Sequence, residues 1–248
     1  MKTLFTLFVA CLLVQTATAQ KTEGVVSYEH RQYWSKINNR MTFLSREEKD
    51  RMANTWKNFE ENKTKMTLYF SPSQSLYTYT DLGGAEEAGD YAGRKDDYVI
   101  YRNFDKDKKT DIIETLGKTY IVDDSLHAPV WKVQNQIKEV AGYVCMKAET
   151  NDPIKGQKIT AWFAQDIPGM AGPERYFGLP GIILELDVND GELIIEATKV
   201  EFKPLTKELT LPKSKGKKTT DAAYDTLLKN HIAESVKAQR NPYWTIRY

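Results

Sequence analysis

The chain has 248 residues, 28% of them charged, with 35 basic against 34 acidic side chains. So even a balance argues against a nucleic-acid partner, which shows as a basic excess. No apolar stretch reaches the roughly 20 residues that a membrane-spanning helix needs.

Residues 1–19 read as a signal peptide. Lys2 precedes an apolar stretch from Leu4 to Val14, interrupted by Thr6, and Ala17-Thr18-Ala19 forms a small-x-small cleavage site before Gln20. Phe8-Val9-Ala10-Cys11 offers a lipoprotein signal instead, but the apolar stretch runs on past Cys11 and a better cleavage site lies downstream. The expected product is an exported protein, periplasmic or associated with the outer membrane, with residues 20–248 as a single β-rich domain. Removal of Lys2 equalises the charges at 34 of each sign. Cys145 then remains without a cysteine partner, so stability must come from packing rather than a disulfide.

Period-two alternation dominates the mature chain, the pattern of strands with one buried face. From Gly24 to Ile37, Val26, Tyr28, His30 and Trp34 fall on one face, and Met66, Leu68 and Phe70 repeat the pattern. Ser45-Arg46-Glu47-Glu48 is a capping box, predicting an inserted helix over about 45–62 with Met52, Trp56 and Phe59 at helical spacing. Residues 81–95 are Gly-, Ala- and acid-rich and read as an exposed loop. Further strands are predicted at 76–80, 98–103, 111–116, 119–123, 131–137, 143–149, 158–164, 182–188 and 192–202. Breaks such as Leu116-Gly117, Ala141-Gly142 and Asn189-Asp190-Gly191 separate them, the last a strong hairpin signal. Residues 213–218 form a basic cluster, read as a solvated linker. Thr220-Asp221 then opens a C-terminal amphipathic helix over about 220–240, with Tyr224, Leu227, Leu228, Ile232 and Val236 on its apolar face. Short links imply antiparallel pairing. The fold class is therefore mainly β: a strongly curved antiparallel sheet or half-barrel with two helical segments.

No motif calls for a metal or a cofactor. His30, His127 and His231 lie far apart in sequence and Cys145 has no second thiol nearby. Asp105, Asp107, Asp111 and Glu114 look calcium-like, but Lys109 and Leu116 occupy loop positions where ligands belong, and a solvated hairpin tip fits better. No Gly-x-Ser-x-Gly elbow exists, and Cys145, within Tyr143-Val144-Cys145-Met146, reads as a packing thiol although it could be a free nucleophile. Glu185 and Asp187 share a strand face, as many surface pairs do. No catalytic residue is assigned.

The segment Gly172 to Leu186, GPERYFGLPGIILEL, is more informative. A phosphate loop would need Lys-Ser/Thr after the glycine, where Ile182 and Ile183 stand. Gly178-x-x-Gly181 has the spacing of an RNA-binding clamp, yet Pro180 removes an amide donor. Pro180-Gly181 instead suits a type II turn, and Ile167-Pro168-Gly169-Met170 repeats that chemistry. Asp166 to Gly181 is thus a long loop, either fold-defining packing or a binding element. The candidate ligand- or partner-binding residues are Trp162, Pro168, Gly172, Pro173, Glu174, Tyr176, Phe177, Gly178, Pro180 and Gly181.

Gly178-Leu179-Pro180-Gly181-Ile182-Ile183 resembles the hexapeptide that names the GLPGLI family, with Ile182 for the second Leu. Ala141 to Ala148 is similar to the family's Gly-Tyr-x-Cys-x-Lys-Ala segment, and Trp162, Ile167-Pro168 and Gly172-Pro173-Glu174 also look like it. The resemblance covers most of the mature chain and is strongest from Trp131 to Glu185. It implies an exported protein of Gram-negative bacteria without an established activity or agreed catalytic residues. The genes of such proteins often neighbour those of TonB-dependent outer-membrane receptors, which implies a receptor or another envelope protein as partner. The segment 45–63 is a departure from shorter members. Three functions remain open: a non-enzymatic accessory or binding protein of the envelope, a carrier of an apolar ligand in the half-barrel, or a hydrolase using Cys145.

Overall fold

The computed structural model describes residues 22–57, 61–80 and 97–248. The expected signal peptide and the 81–95 loop lie outside the described residues. The elements are β1 (Gly24–Tyr33), α1 (Trp34–Asn39), α2 (Arg46–Trp56), β2 (Glu61–Phe70), β3 (Gln74–Tyr79), β4 (Tyr98–Asn103), β5 (Lys108–Thr115) and β6 (Lys118–Ser125). After these come β7 (Lys132–Val140), β8 (Tyr143–Asp152), β9 (Gln157–Ala164), β10 (Ile182–Val188), β11 (Leu193–Phe202), β12 (Lys217–Thr219) and α3 (Asp221–Lys237), then a 3-10 turn at Pro242–Trp244.

These strands join one sheet of order β12-β6-β5-β4-β3-β2-β1-β11-β10-β9-β8-β7, not closed into a barrel. Two antiparallel meanders, β2 to β6 and β7 to β11, meet on either side of β1. In its register Val26 stands between Leu68 and Val200, and Tyr28 between Met66 and Ala197. The alternation read from the sequence is the observed burial of β1, where Val26, Tyr28 and His30 point inward. Side chains of the central strand β1 reach over their neighbours to strands on both sides. Tyr28 on β1 donates to the Ile183 carbonyl on β10 at 2.6 Å, and its ring meets Tyr77 of β3 edge-on at 6.0 Å. Strands β3 to β5 are covered on both sides: Leu76, Val99 and Ile112 form an outer cluster with Leu209 and Leu211.

Helix α3 packs on the concave side. Thr220 caps it by accepting from Ala223 N, and Tyr224 and Leu228 are buried. Tyr224 reaches Thr115 Oγ1 at 2.7 Å and stacks obliquely on Tyr120 at 5.8 Å. Val236, expected on the apolar face, is exposed; Ser235 takes the buried position.

Several boundaries differ from the sequence reading. Trp34 begins α1 instead of continuing β1, because β1 loses its β2 partner after Tyr33, and Trp34 and Ile37 also suit one helical turn. The capping box forms, Ser45 Oγ accepting from Glu48 N and Glu48 accepting from Ser45 N, but β2 already begins at Glu61, so the helix does not run to 62. The basic segment is not wholly linker, since Lys217–Thr219 adds a parallel strand to β6. The type II turn is replaced by a tighter one. Gly181 holds a positive φ of 144°, but its amide bonds the Leu179 carbonyl at 2.9 Å and Gly169 at 3.0 Å, closing a γ-type turn on Pro180.

A Cβ on Gly181 would lie 2.2 Å from the Ala164 carbonyl, where the loop rejoins β9. Gly142, in the two-residue β7–β8 hairpin, has φ 84° but open space around it. Gly181→Ala is therefore expected to destabilise by about 2 kcal/mol or more, against about 1 kcal/mol for Gly142→Ala. Denaturant titration of both variants checks this, and equal losses would show that the Ala164 contact relaxes freely.

Candidate functional site

The segment between β9 and β10 is tied down by its own backbone. Gly178 N bonds Met170 O at 2.8 Å, Ile183 N bonds Ala171 O at 3.0 Å, and Trp131 Nε1 donates to Phe177 O at 2.9 Å. At its tip Glu174 adopts a left-handed φ of 57°, unusual for a residue with a Cβ. This aims Glu174 and Arg175 into two different charge networks inside the curved sheet.

Glu174 is 8% exposed and receives a guanidinium fork from Arg247, Nε to Oε2 at 2.8 Å and Nη2 to Oε1 at 2.5 Å. Tyr98 donates a short hydrogen bond to the same carboxylate and Tyr77 a longer one at 3.3 Å. The Arg247 guanidinium also lies over the Tyr98 ring, 3.9 Å from its centroid. Burial alone would raise the Glu174 carboxyl; the Arg247 charge and hydrogen bonds override it and hold the pKa at about 2. His30, inward on β1, feels the reverse. Burial and then Arg247 push it down to about 4, so it is neutral, and its Nε2 has no hydrogen-bond partner among the described residues.

Arg175 serves the second network. Its Nη2 meets Asp221 at 2.6 Å and its Nη1 Asp225 at 3.4 Å, in the first turns of α3, where acidic groups also face the positive end of the helix. Its Nε lies 3.4 Å from Asp111 without forming a directed hydrogen bond. Asp111, fully buried, takes a bidentate contact from Arg102 and lies 3.1 Å from Lys109. Burial would raise its pKa, but Arg102, Lys109 and Arg175 hold it below the usual carboxylate range. Asp111 is thus a core ion and not part of a solvated hairpin tip. Asp105 and Asp107 are exposed, as that reading expects. Among the described residues no group of three or more His, Cys, Asp or Glu side chains could hold a metal.

Next to these networks lies a cavity of about 460 Å³. Its walls combine apolar side chains of β10 and β11 (Leu186, Val188, Leu193, Ile195) with Leu228 of α3 and Tyr98 of β4. Glu174, Tyr176 and Phe177 line it, so the structure gathers three of the sequence-predicted residues at one place. Pro168, Gly172, Pro173, Gly178, Pro180 and Gly181 shape the loop without lining the cavity. Trp162 lies elsewhere, half-buried on β9 beneath Lys138, whose ammonium is 4.6 Å from its ring centroid and 2.5 Å from Glu185. Cys145 is buried in β8, its Sγ 3.5 Å from Tyr143 O, and burial pushes the thiol up to about 11, the signature of a packing residue at neutral pH. Lys155, Gln157, Arg175 and Arg247 also line the cavity and were not singled out from the sequence. Only Arg175 carried a signal, its adjacency to Glu174.

The two shifted groups predict an acid profile in separable windows. His30 has a depressed pKa, so the unfolded state binds its proton first and stability falls as pH drops from about 6.5 to about 4. Glu174 has a depressed carboxylate pKa, so its contribution is full above about 4.5 and is lost on the way down to about 2. Chemical denaturation across pH should show both, His30→Leu flattening the upper window and Glu174→Gln the lower. Glu174→Gln should also cost about 3–5 kcal/mol at neutral pH, because Arg247 is left buried without its partner. A profile unchanged in either variant would refute the corresponding assignment.

A family model described as "Protein of unknown function (Porph_ging)" matches residues 151–185, the hairpin tip, β9, the loop and the start of β10. No curated protein matches the chain. Two structures of PNGF-II, in C2 and P21 space groups, align with TM-scores of 0.54 at 14% and 13% identity, covering 84% of this chain and 32% and 33% of theirs. An uncharacterized conserved protein from Thermus thermophilus aligns at a TM-score of 0.39 and 6% identity, covering 86% of this chain and 99% of that one. The chain thus spans about a third of the PNGF-II chains it matches, and at such identity the likeness is one of β-rich fold alone.

Proposed function

We propose that this chain is an exported, non-enzymatic binding protein of the cell envelope, of the GLPGLI type, whose cavity holds a small ligand. The observation that carries the reading is the cavity itself. Its volume of about 460 Å³ falls in the range of small-molecule sites, and its aliphatic wall from β10 and β11 faces charged and polar side chains that can orient a ligand. The 166–181 loop supports the reading: its glycines and prolines hold the backbone in one course, and that course delivers Glu174, Tyr176 and Phe177 to the cavity wall. Association with a TonB-dependent outer-membrane receptor is the partner part of the proposal, and it rests on the resemblance of the 141–148 and 178–183 segments to that family.

Native mass spectrometry of protein isolated from an envelope fraction tests the ligand part. A species released on denaturation is the expected result, and repeated preparations of bare chain, with no small molecule binding on titration, would overturn it. Affinity capture from detergent-solubilised envelopes tests the partner part separately. Recovery of an outer-membrane receptor is expected, and its absence across several detergents would remove that part while leaving the cavity reading untouched.

A further inference from the structure

The polar groups of the cavity differ in one respect that bears on its ligand. Arg247 is matched by Glu174, Arg175 by Asp221 and Asp225, and Lys109 by Asp111 and Asp221. Arg175 Nε, 3.4 Å from Asp111, stays without a directed hydrogen bond, and two further donors come from the β8–β9 hairpin. Gln157 is 2% exposed, and its Nε2 is buried without a hydrogen-bond partner among the described residues. Lys155 is half-buried, and its ammonium takes part in no ion pair or hydrogen bond among the described residues; its backbone carbonyl accepts from Tyr243. Carboxylates stand near Lys155 without forming an ion pair with it among the described residues. Asp152 accepts from the amides of Ile154 and Lys155 at 2.7 and 3.1 Å, and Glu174 is held by Arg247 and Tyr98. A buried amide donor left unmatched costs about 1–3 kcal/mol, which an acceptor would recover.

Strand register orders the wall beyond these donors. Asp152 pairs with Gln157 at the hairpin end, and two residues inward Ile159 pairs with Val188, which pairs with Leu193. One step further come Leu186 and Ile195. From the hairpin inward, the wall therefore passes from unmatched donors to aliphatic side chains. Resting on the reading of this cavity as a ligand site, we propose that its ligand is an aliphatic carboxylate, with the carboxylate on Lys155 and Gln157 and the chain along Val188, Leu193, Leu186 and Ile195. A neutral amphiphile would satisfy the apolar wall and leave the ammonium unmatched; a cationic one would face Lys155 directly.

The groups around Lys155 are Asp152 on β8, Glu174 and Arg175 in the loop, and Arg247 at the C-terminal end. Burial dominates this set and lowers the Lys155 pKa to about 8, the attraction of Asp152 and Glu174 notwithstanding. The free protein therefore loses the Lys155 charge as pH rises through about 8, and carboxylate affinity falls with it.

Isothermal titration with octanoate, 1-octanol and octylamine is the test. Octanoate should bind most tightly, weaken as pH rises from 7 to 9.5, and lose about tenfold or more in affinity in Lys155→Met and in Gln157→Leu, whereas octanol should bind all three proteins alike and independently of pH. Melting curves of the variants establish that each is folded, and the pH dependence of the wild type stands without them. Octanol binding as tightly as octanoate, or an octanoate affinity indifferent to pH and to Lys155→Met, would overturn the carboxylate assignment and leave the cavity reading standing. Failure of every amphiphile to bind, together with bare protein in native mass spectra, would overturn both.

Discussion

The carboxylate of Glu174 under the guanidinium of Arg247 is the contact on which the interior is arranged. It joins the β9–β10 loop to the C-terminal end of the chain, and through Tyr98 and Tyr77 it joins both to the opposite half of the sheet. A buried pair of this kind contributes little net stability relative to an apolar replacement, since desolvation consumes most of the attraction. Its effect is on arrangement. Only one course of the loop places Glu174 in the fork, and that course requires the left-handed backbone at Glu174 and the close approach of Gly181 to Ala164.

The second network performs the same task for α3. An open curved sheet needs something to cover its concave side, and apolar packing through Tyr224 and Leu228 gives the helix a place without fixing its angle. Asp221 and Asp225, bound to Arg175 and Lys109, supply directed contacts at its first turns. The consecutive residues Glu174 and Arg175 therefore tether the C-terminal end and the helix that precedes it. The cavity is the space left where these tethers keep the helix, the loop and the sheet from collapsing onto one another.

Much of the sheet was legible because it alternates. Val26, Tyr28, Met66, Leu68 and Phe70 repeat every second residue, and hairpin signals such as Asn189-Asp190-Gly191 sit at strand ends. The end of β1 was not, since Trp34 and Ile37 satisfy either period over so short a span. Of the site, the loop was legible by its glycines and prolines, and these proved to be scaffolding. The groups that meet the cavity were obscured for a physical reason. Lys109 and Asp111 look like any polar pair on a solvated strand, and the groups that pair with them in the interior belong to other elements: Asp221 of α3 for Lys109, and Arg175 of the β9–β10 loop for Asp111. Arg247 carries no local pattern at all, and Gln157 differs from a surface glutamine only in which face of β9 it occupies.

The place of β1 has a consequence for how the molecule is made. As the first described strand it sits in the middle of the sheet, paired with β2 nearby and with β11, whose residues come more than a hundred and fifty positions later. Pairing so distant in sequence carries a large loop-closure cost and slows folding. Until β11 arrives, β1 presents an open edge bearing Val26 and Tyr28, the kind of edge that invites pairing between chains. The sheet can therefore be completed only once nearly all of the chain is available, and until then its central strand stays open to wrong pairings.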